Sequence, residues 1–236
     1  MTAGMPRSAS AVILAGGLGT RLRPVLGGKP KVLAEVAGRP FLSHLLSHLS
    51  RCGIHHVVLA TGWRSEEVEA FVGDGSIWGL SVEISRDETP IGTGGAVRQS
   101  AALVRSDPFL VLNGDTFVAA DPARLLDFHL AHSARASLLA ARVGDRSRYG
   151  ALRIDAEGRV LGFSEKGLVG EGYINAGVYA LSRAALGLLP ASGPCLLEID
   201  LFPALLGGGL WALRVEAPFL DIGTPESLRA AEAFFA

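Results

Sequence analysis

The chain of 236 residues carries 22 basic and 23 acidic side chains and a net charge of −1 at pH 7, so no nucleic acid and no anionic membrane, both of which select a basic surface, is expected as its main partner. Two cysteines, Cys52 and Cys195, are too few and too far apart for a disulfide framework or a zinc site. Residues 1–10 hold no long apolar stretch and no run approaches the ~18 apolar residues of a membrane span, which gives the expectation of a cytoplasmic protein.

Ala11 to Ala15 are all apolar and predict a short buried strand. The strand breaks into Gly16, Gly17 and Gly19. Three glycines in four positions let the backbone approach a ligand closely, and a loop at the carboxyl end of a parallel strand is where open α/β sheets bind phosphates. Arg21 and Arg23 follow, and Lys29 and Lys31 flank Pro30. Basic side chains beside free backbone donors suit a polyphosphate. Two common glycine signatures fail on spacing: a dinucleotide fingerprint counted from Gly17 meets Leu22 at its sixth position, and Gly28-Lys29 is followed by Pro30 where a P-loop needs Ser or Thr.

Pro40 opens a predicted helix that Gly53 ends, with Phe41, Leu42, Leu45, Leu46 and Leu49 on one arc. His44 and His48 fall on the opposite face and read as solvated surface histidines. His55-His56 opens the next strand, Val57 to Ala60; a helix over Ser65–Phe71 and a strand over Leu80–Ser85 follow. Glu88 to Ala96 reads as a second glycine-rich loop, ahead of a helix over Val97–Val104. Pro108 to Leu112 is a further short apolar strand, ending in Asn113-Gly114-Asp115, and Asp121-Pro122 caps a helix to about Ser133. Strand–helix alternation predicts a parallel sheet with right-handed crossovers. From Ala136 to Leu181 the pattern changes to short strands and turns. Helical segments are expected near Arg183–Leu189 and Glu198–Leu206, then a strand over Leu210–Val215. Phe219 to Gly223 leads to Thr224, which caps a last helix opened by Pro225.

The run Gly16-Gly17-Leu18-Gly19-Thr20-Arg21-Leu22-Arg23-Pro24, with Pro30-Lys31 beyond it, resembles the signature of sugar-1-phosphate nucleotidyltransferases. The resemblance covers nearly the whole chain, and among subfamilies the pattern is most similar to D-glycero-α-D-manno-heptose 1-phosphate guanylyltransferases. It implies an α/β fold: a three-layer, Rossmann-like, mixed but mainly parallel sheet with helices on both faces and a β-rich sugar-binding extension. It also implies a single domain over residues 1–236, with a nucleotide-binding part over about 9–135 and a sugar-phosphate-binding part over about 136–236. Asn113-Gly114-Asp115 resembles the metal-binding motif after the fourth strand, and Phe219 to Thr224 resembles the motif of the second metal aspartate, Asp221. Two carboxylates at a phosphate site suit Mg²⁺. Pro90 to Ala96 resembles the loop against which nucleobase and ribose pack. Tyr149-Gly150, Glu165-Lys166 and Asn175-Ala176-Gly177 resemble the segments that hold the sugar and its phosphate, beside Asn113. Where the family reads Pro-Lys-Pro this chain has Pro30-Lys31-Val32, and Glu165-Lys166-Gly167 stands for Glu-Lys-Pro.

The implied reaction transfers a nucleotidyl group from a nucleoside triphosphate to a sugar 1-phosphate and releases pyrophosphate. Arg21, Lys31 and Asp115 are the expected catalytic residues. Leu14, Ala15, Gly16, Gly17, Gly19, Thr20, Arg21, Glu88, Pro90, Gly94 and Gly95 are expected to bind the nucleotide. GTP is the expected donor and a heptose 1-phosphate the expected acceptor. A mannose-1-phosphate guanylyltransferase, a uridylyl- or thymidylyltransferase and a non-catalytic regulatory subunit are the alternatives. For the base, either the Glu88 carboxylate or backbone groups of Ala15, Gly16 and Gly94 would do the reading. A homo-oligomer is left open.

Overall fold

A computed structural model describes residues 9–17, 19, 20, 22–164 and 169–235. Strand β1 (Ser10–Leu14) leads through the glycine loop to a single turn, α1 (Arg23–Leu26), and a two-residue ribbon, β2 (Glu35–Val36) against β3 (Arg39–Pro40). Helix α2 (Phe41–Arg51), β4 (His56–Thr61), α3 (Ser65–Val72), β5 (Ser81–Arg86), α4 (Gly92–Ser100) and β6 (Phe109–Asn113) then alternate. Strands β6, β1, β4 and β5 lie side by side in that order, all parallel. The chain therefore builds outward from β1 through β4 to β5, then returns to place β6 on the other side of β1. That reversal of strand order makes the crevice beyond the carboxyl ends of β1 and β6 the natural ligand site of an open α/β sheet.

The second half thickens the sheet. After β7 (Thr116–Val118) and α5 (Ala123–Ala131) come β8 (Ala136–Val143), β9 (Ala151–Ile154), β10 (Val160–Ser164) and the ten-residue β11 (Gly172–Leu181). Strand β11 runs antiparallel to β6 along its last four residues and to β8 on its other edge. Because Val178 faces Leu112, the stretch Asn175 to Gly177 falls at the same sheet edge as Asn113. A short turn, α6 (Arg183–Leu186), precedes β12 (Leu210–Val215), which adds parallel to β8. Strand β13 (Phe219–Asp221) pairs with β7, and α7 (Pro225–Phe235) ends the chain, with Thr224 Oγ1 accepting from Ser227 N at 3.2 Å as its cap.

Alternation along the strands separates two apolar layers. Ala11 and Ile13 face a layer filled by α2, α3, α5 and α7; Val12 faces a layer filled by α4, α6 and the turn around Leu197 and Leu201. The expected three-layer arrangement is thus present.

Three readings of the sequence need correction. His44 and His48 are not solvated. His44 is 3% exposed, donates from Nε2 to Val36 O at 2.9 Å and stacks on Phe235. His48 Nε2 donates to Ala120 O at 2.9 Å. The ribbon and α7 cover His44, and Phe117 with Ala120 covers His48, on the helix face that looks polar when α2 is read by itself, and burial lowers both imidazole pKa values. Gly92 to Gly95 form the first turn of α4, not a loop, and α4 stops at Ser100. The helix expected near Glu198–Leu206 is a π turn over Leu197–Leu201 followed by one 3₁₀ turn, and α6 is only four residues long.

Candidate active site

A cleft of about 820 Å³ opens over the carboxyl ends of β6, β1, β4 and β5. Leu14, Ala15, Gly16 and Gly17 line it from β1, and Asn113, Gly114 and Asp115 from β6. Gly62 and Trp63 line it from the end of β4, and Arg86 to Gly92 from the end of β5. The β1 and β4 ends touch: a Cβ on Gly62 would lie 3.2 Å from Gly16 O, and one on Gly114 would lie 2.5 Å from Leu14 O. Glycine is required at position 114 for the turn to reach the cleft floor.

Lys31 and Asp115 meet in this cleft. Lys31 Nζ donates to Asp115 Oδ2 at 2.6 Å, with the lysine side chain 12% exposed and the aspartate 39%. Lys31 is aimed by its 3₁₀ turn and by Gly19, whose positive φ brings the glycine loop to 3.2 Å from Lys31 Cβ if a Cβ is built there. Asp221 arrives through the β13–β7 ribbon. It faces Thr116, and Ile222 N donates to Asp115 O at 3.0 Å, so the two aspartates occupy adjoining backbone positions. Asp221 Oδ1 also accepts from Gly223 N. Among the described residues no three His, Cys, Asp or Glu converge. Two carboxylates on adjoining backbone positions are a hard-oxygen donor set of the kind that Mg²⁺ takes from a protein.

The expected nucleotide residues divide. Leu14, Ala15, Gly16, Gly17, Glu88 and Pro90 line the cleft with Lys31 and Asp115. Gly94 and Gly95 instead donate their amides to Cys195 O at 2.9 and 3.3 Å and pack behind the wall that Thr93 presents. Gly19 and Thr20 stand outside the lining, as do Asp221, Tyr149, Gly150, Asn175 and Gly177. The last two remain close by: at φ +72 the position of Gly177 would place a Cβ 2.8 Å from Asn113 Nδ2. Arg21, Glu165 and Lys166 lie outside the described residues.

Asp87 was missed by the sequence reading. It lines the cleft beside the exposed Glu88, and its Oδ1 is buried without a hydrogen-bond partner among the described residues. Burial pushes its carboxyl up to about 6. Its position just past the end of β5 was the available signal, the same sheet edge that singled out Asp115.

A family model for nucleotidyl transferases matches residues 10–236. Mannose-1-phosphate guanylyltransferase of Mycobacterium tuberculosis is 41% identical over 220 residues, covering 92% of this chain and 61% of its own length. The chain thus spans about three fifths of that relative. D-glycero-alpha-D-manno-heptose 1-phosphate guanylyltransferase of Aneurinibacillus thermoaerophilus is 34% identical over 223 residues, covering 94% of this chain and 96% of its own. A crystal structure of HddC from Yersinia pseudotuberculosis complexed with GMP-PN aligns with a TM-score of 0.87 at 32% identity, over 97% of this chain and 100% of that one. The match runs from the first strand to the last helix, through every segment that lines the cleft, and the chain belongs to the nucleotidyl transferase family.

Proposed function

We propose that the protein transfers a guanylyl group from GTP to a manno-configured sugar 1-phosphate, either D-glycero-α-D-manno-heptose 1-phosphate or mannose 1-phosphate, and releases pyrophosphate. The observation that carries this is the Lys31–Asp115 pair at the strand-order reversal, in a chain whose relatives are named for guanylyl transfer to those two sugars. A sugar 1-phosphate has a second pKa of about 6 and is largely dianionic at neutral pH. Its oxygen attacks the α-phosphorus without a general base, and the obstacle is bringing one anion to another.

Positioning and positive charge remove that obstacle. Lys31 is placed to stand between nucleotide and sugar phosphate, held ready by Asp115. The amides of the glycine loop hold the triphosphate, and Arg21, from the family resemblance, takes the leaving pyrophosphate. Glu165 and Lys166 take the sugar hydroxyls and phosphate on the same ground. Mg²⁺ would be held by Asp115 and Asp221 and would neutralise phosphate oxygens. The nucleotide belongs to the half of the chain before about residue 135, and the sugar to the β-rich half after it.

Base selection is assigned to Asp87 rather than Glu88. Guanine offers N1–H and N2–H on one edge, and Asp87, a cleft-lining carboxylate half-buried past the end of β5, would accept charge-assisted hydrogen bonds from them. Uracil and thymine set a carbonyl on each side of N3–H and would oppose it. Above pH ~6 the ionised Asp87 favours guanine, and below it the protonated acid loses that preference. The test is competition of GTP, UTP, dTTP and CTP at pH 5.5 and 7.5. Triphosphate titration is common to all four and cancels in the ratios. Guanine preference should rise with pH in the wild type and in Glu88→Gln, and collapse by about ten-fold or more in Asp87→Asn. Preference lost in Glu88→Gln and kept in Asp87→Asn would return the role to Glu88.

A further inference from the structure

A polar network behind the cleft joins its two halves through one carboxylate, Glu198. Tyr179 on β11 is fully buried. Asn175 Nδ2 donates to its hydroxyl oxygen at 3.0 Å, and Asn113 also acts on that oxygen as a donor. With its lone pairs serving the asparagines, the phenol hydrogen must go elsewhere. It goes to Glu198 Oε1, 3.4 Å away on the π turn. The other carboxylate oxygen, Glu198 Oε2, accepts from Thr93 Oγ1 at 3.1 Å, and Thr93 Oγ1 accepts from Leu197 N at 2.9 Å.

The direction of the Tyr179 and Thr93 hydroxyl bonds follows from Glu198, whose carboxylate oxygens accept both. With a carboxylate oxygen accepting at its end, Tyr179 donates outward and presents its oxygen to Asn175. The Asn175 amide is thereby held from both ends, its Nδ2 by the Tyr179 hydroxyl and its Oδ1 by Gly177 N, which donates to it at 3.0 Å. An amide NH₂ has two hydrogens, and the network uses one, leaving a donor for a ligand oxygen. Thr93 lines the cleft on the α4 side, and Asn113 lines it at the end of β6. One carboxylate therefore ties the nucleotide wall to the asparagines on the sugar side.

We propose that Glu198 is a positioning residue for the sugar phosphate, acting through the buried Tyr179 hydroxyl to orient Asn175 while holding Thr93. This rests on the guanylyl-transfer reading above. Glu198 is itself exposed, so its removal leaves the fold standing.

The test combines steady-state kinetics on Glu198→Ala, Tyr179→Phe and the double variant with side-chain NH₂ resonances of Asn175 in isotope-labelled protein. Glu198→Ala should raise the sugar phosphate KM about ten-fold while the GTP KM stays within about two-fold, because Leu197 N still holds Thr93 Oγ1. Tyr179→Phe should reproduce that split, and the double variant should be no worse than the more severe single one. Glu198→Gln, which keeps an acceptor oxygen, should recover most of the affinity. The Asn175 resonances should move in both single variants.

Additive effects, an unchanged KM, or a silent Tyr179→Phe would overturn the relay. If the wild type releases no pyrophosphate with any sugar 1-phosphate, the functional reading falls. The Asn175 resonances then still decide the relay: unmoved in Glu198→Ala, they overturn it.

Discussion

Replacing Asp115 with Asn should lower turnover by about 100-fold or more while leaving the fold and both substrate KM values nearly unchanged. The side chains match in size, so only charge is removed. Two things depend on that charge: the 2.6 Å contact that aims Lys31 and the hard oxygen ligand offered to a cation. Asp221→Asn is the informative companion. Asp221 Oδ1 accepts from Gly223 N in a turn that asparagine forms equally well. A loss of turnover there reports the missing negative charge and not a collapsed turn, and it should be accompanied by a higher Mg²⁺ requirement. Pyrophosphate release, titrated with Mg²⁺, measures both. Near-wild-type release by the double Asn variant would remove the metal assignment.

Lys31→Met is expected to cost about 10²–10³-fold in turnover, the scale seen when one preorganised donor to a developing charge is removed. Methionine keeps the stem that packs beside Gly19. The Asp115 carboxylate left behind is 39% exposed and can be hydrated, so thermal stability should change little. Combining Lys31→Met with Asp115→Asn should cost less than the product of the two separate effects, because part of the Asp115 contribution is exerted through Lys31. Steady-state kinetics and a thermal melt on the three variants decide this. Unchanged turnover with a lowered melting temperature would make Lys31–Asp115 a structural ion pair.

Much of the site was legible in the sequence because it sits on short apolar strands that stop at glycine or aspartate. β1 with its glycine loop and β6 with Asn113 to Asp115 have that form, and β13 brings Asp221 beside Asp115 in the same way. What stayed hidden depends on partners far away in the chain. Glycine disfavours helix, so Gly92 to Gly95 read as a loop. In the fold they open α4 because residue 195 presses on it: a Cβ on Gly92 would lie 2.3 Å from Cys195 O, and one on Gly94 would lie 3.0 Å from Cys195 Sγ. His44 and His48 looked solvated because their covers, α7 and the β2–β3 ribbon over His44 and Phe117 with Ala120 over His48, are not visible in the helix's own periodicity. Glu88 drew attention as the carboxylate nearest the glycines, yet it is Asp87 whose oxygen the cleft wall buries. Asn175 was matched to a ligand role, and its tie to Tyr179 and Glu198 could not be read from spacing.

The central claim, that this cleft joins GTP to a sugar 1-phosphate, is tested most directly by ³¹P NMR of the purified protein. The sample would hold GTP, Mg²⁺ and either mannose 1-phosphate or D-glycero-α-D-manno-heptose 1-phosphate. Pyrophosphate and a nucleoside diphosphate sugar should form in equal amounts with at least one of the two sugars, and neither should form when GTP or the sugar phosphate is omitted. Pyrophosphate released without the sugar phosphate, or no turnover with either acceptor, would contradict it.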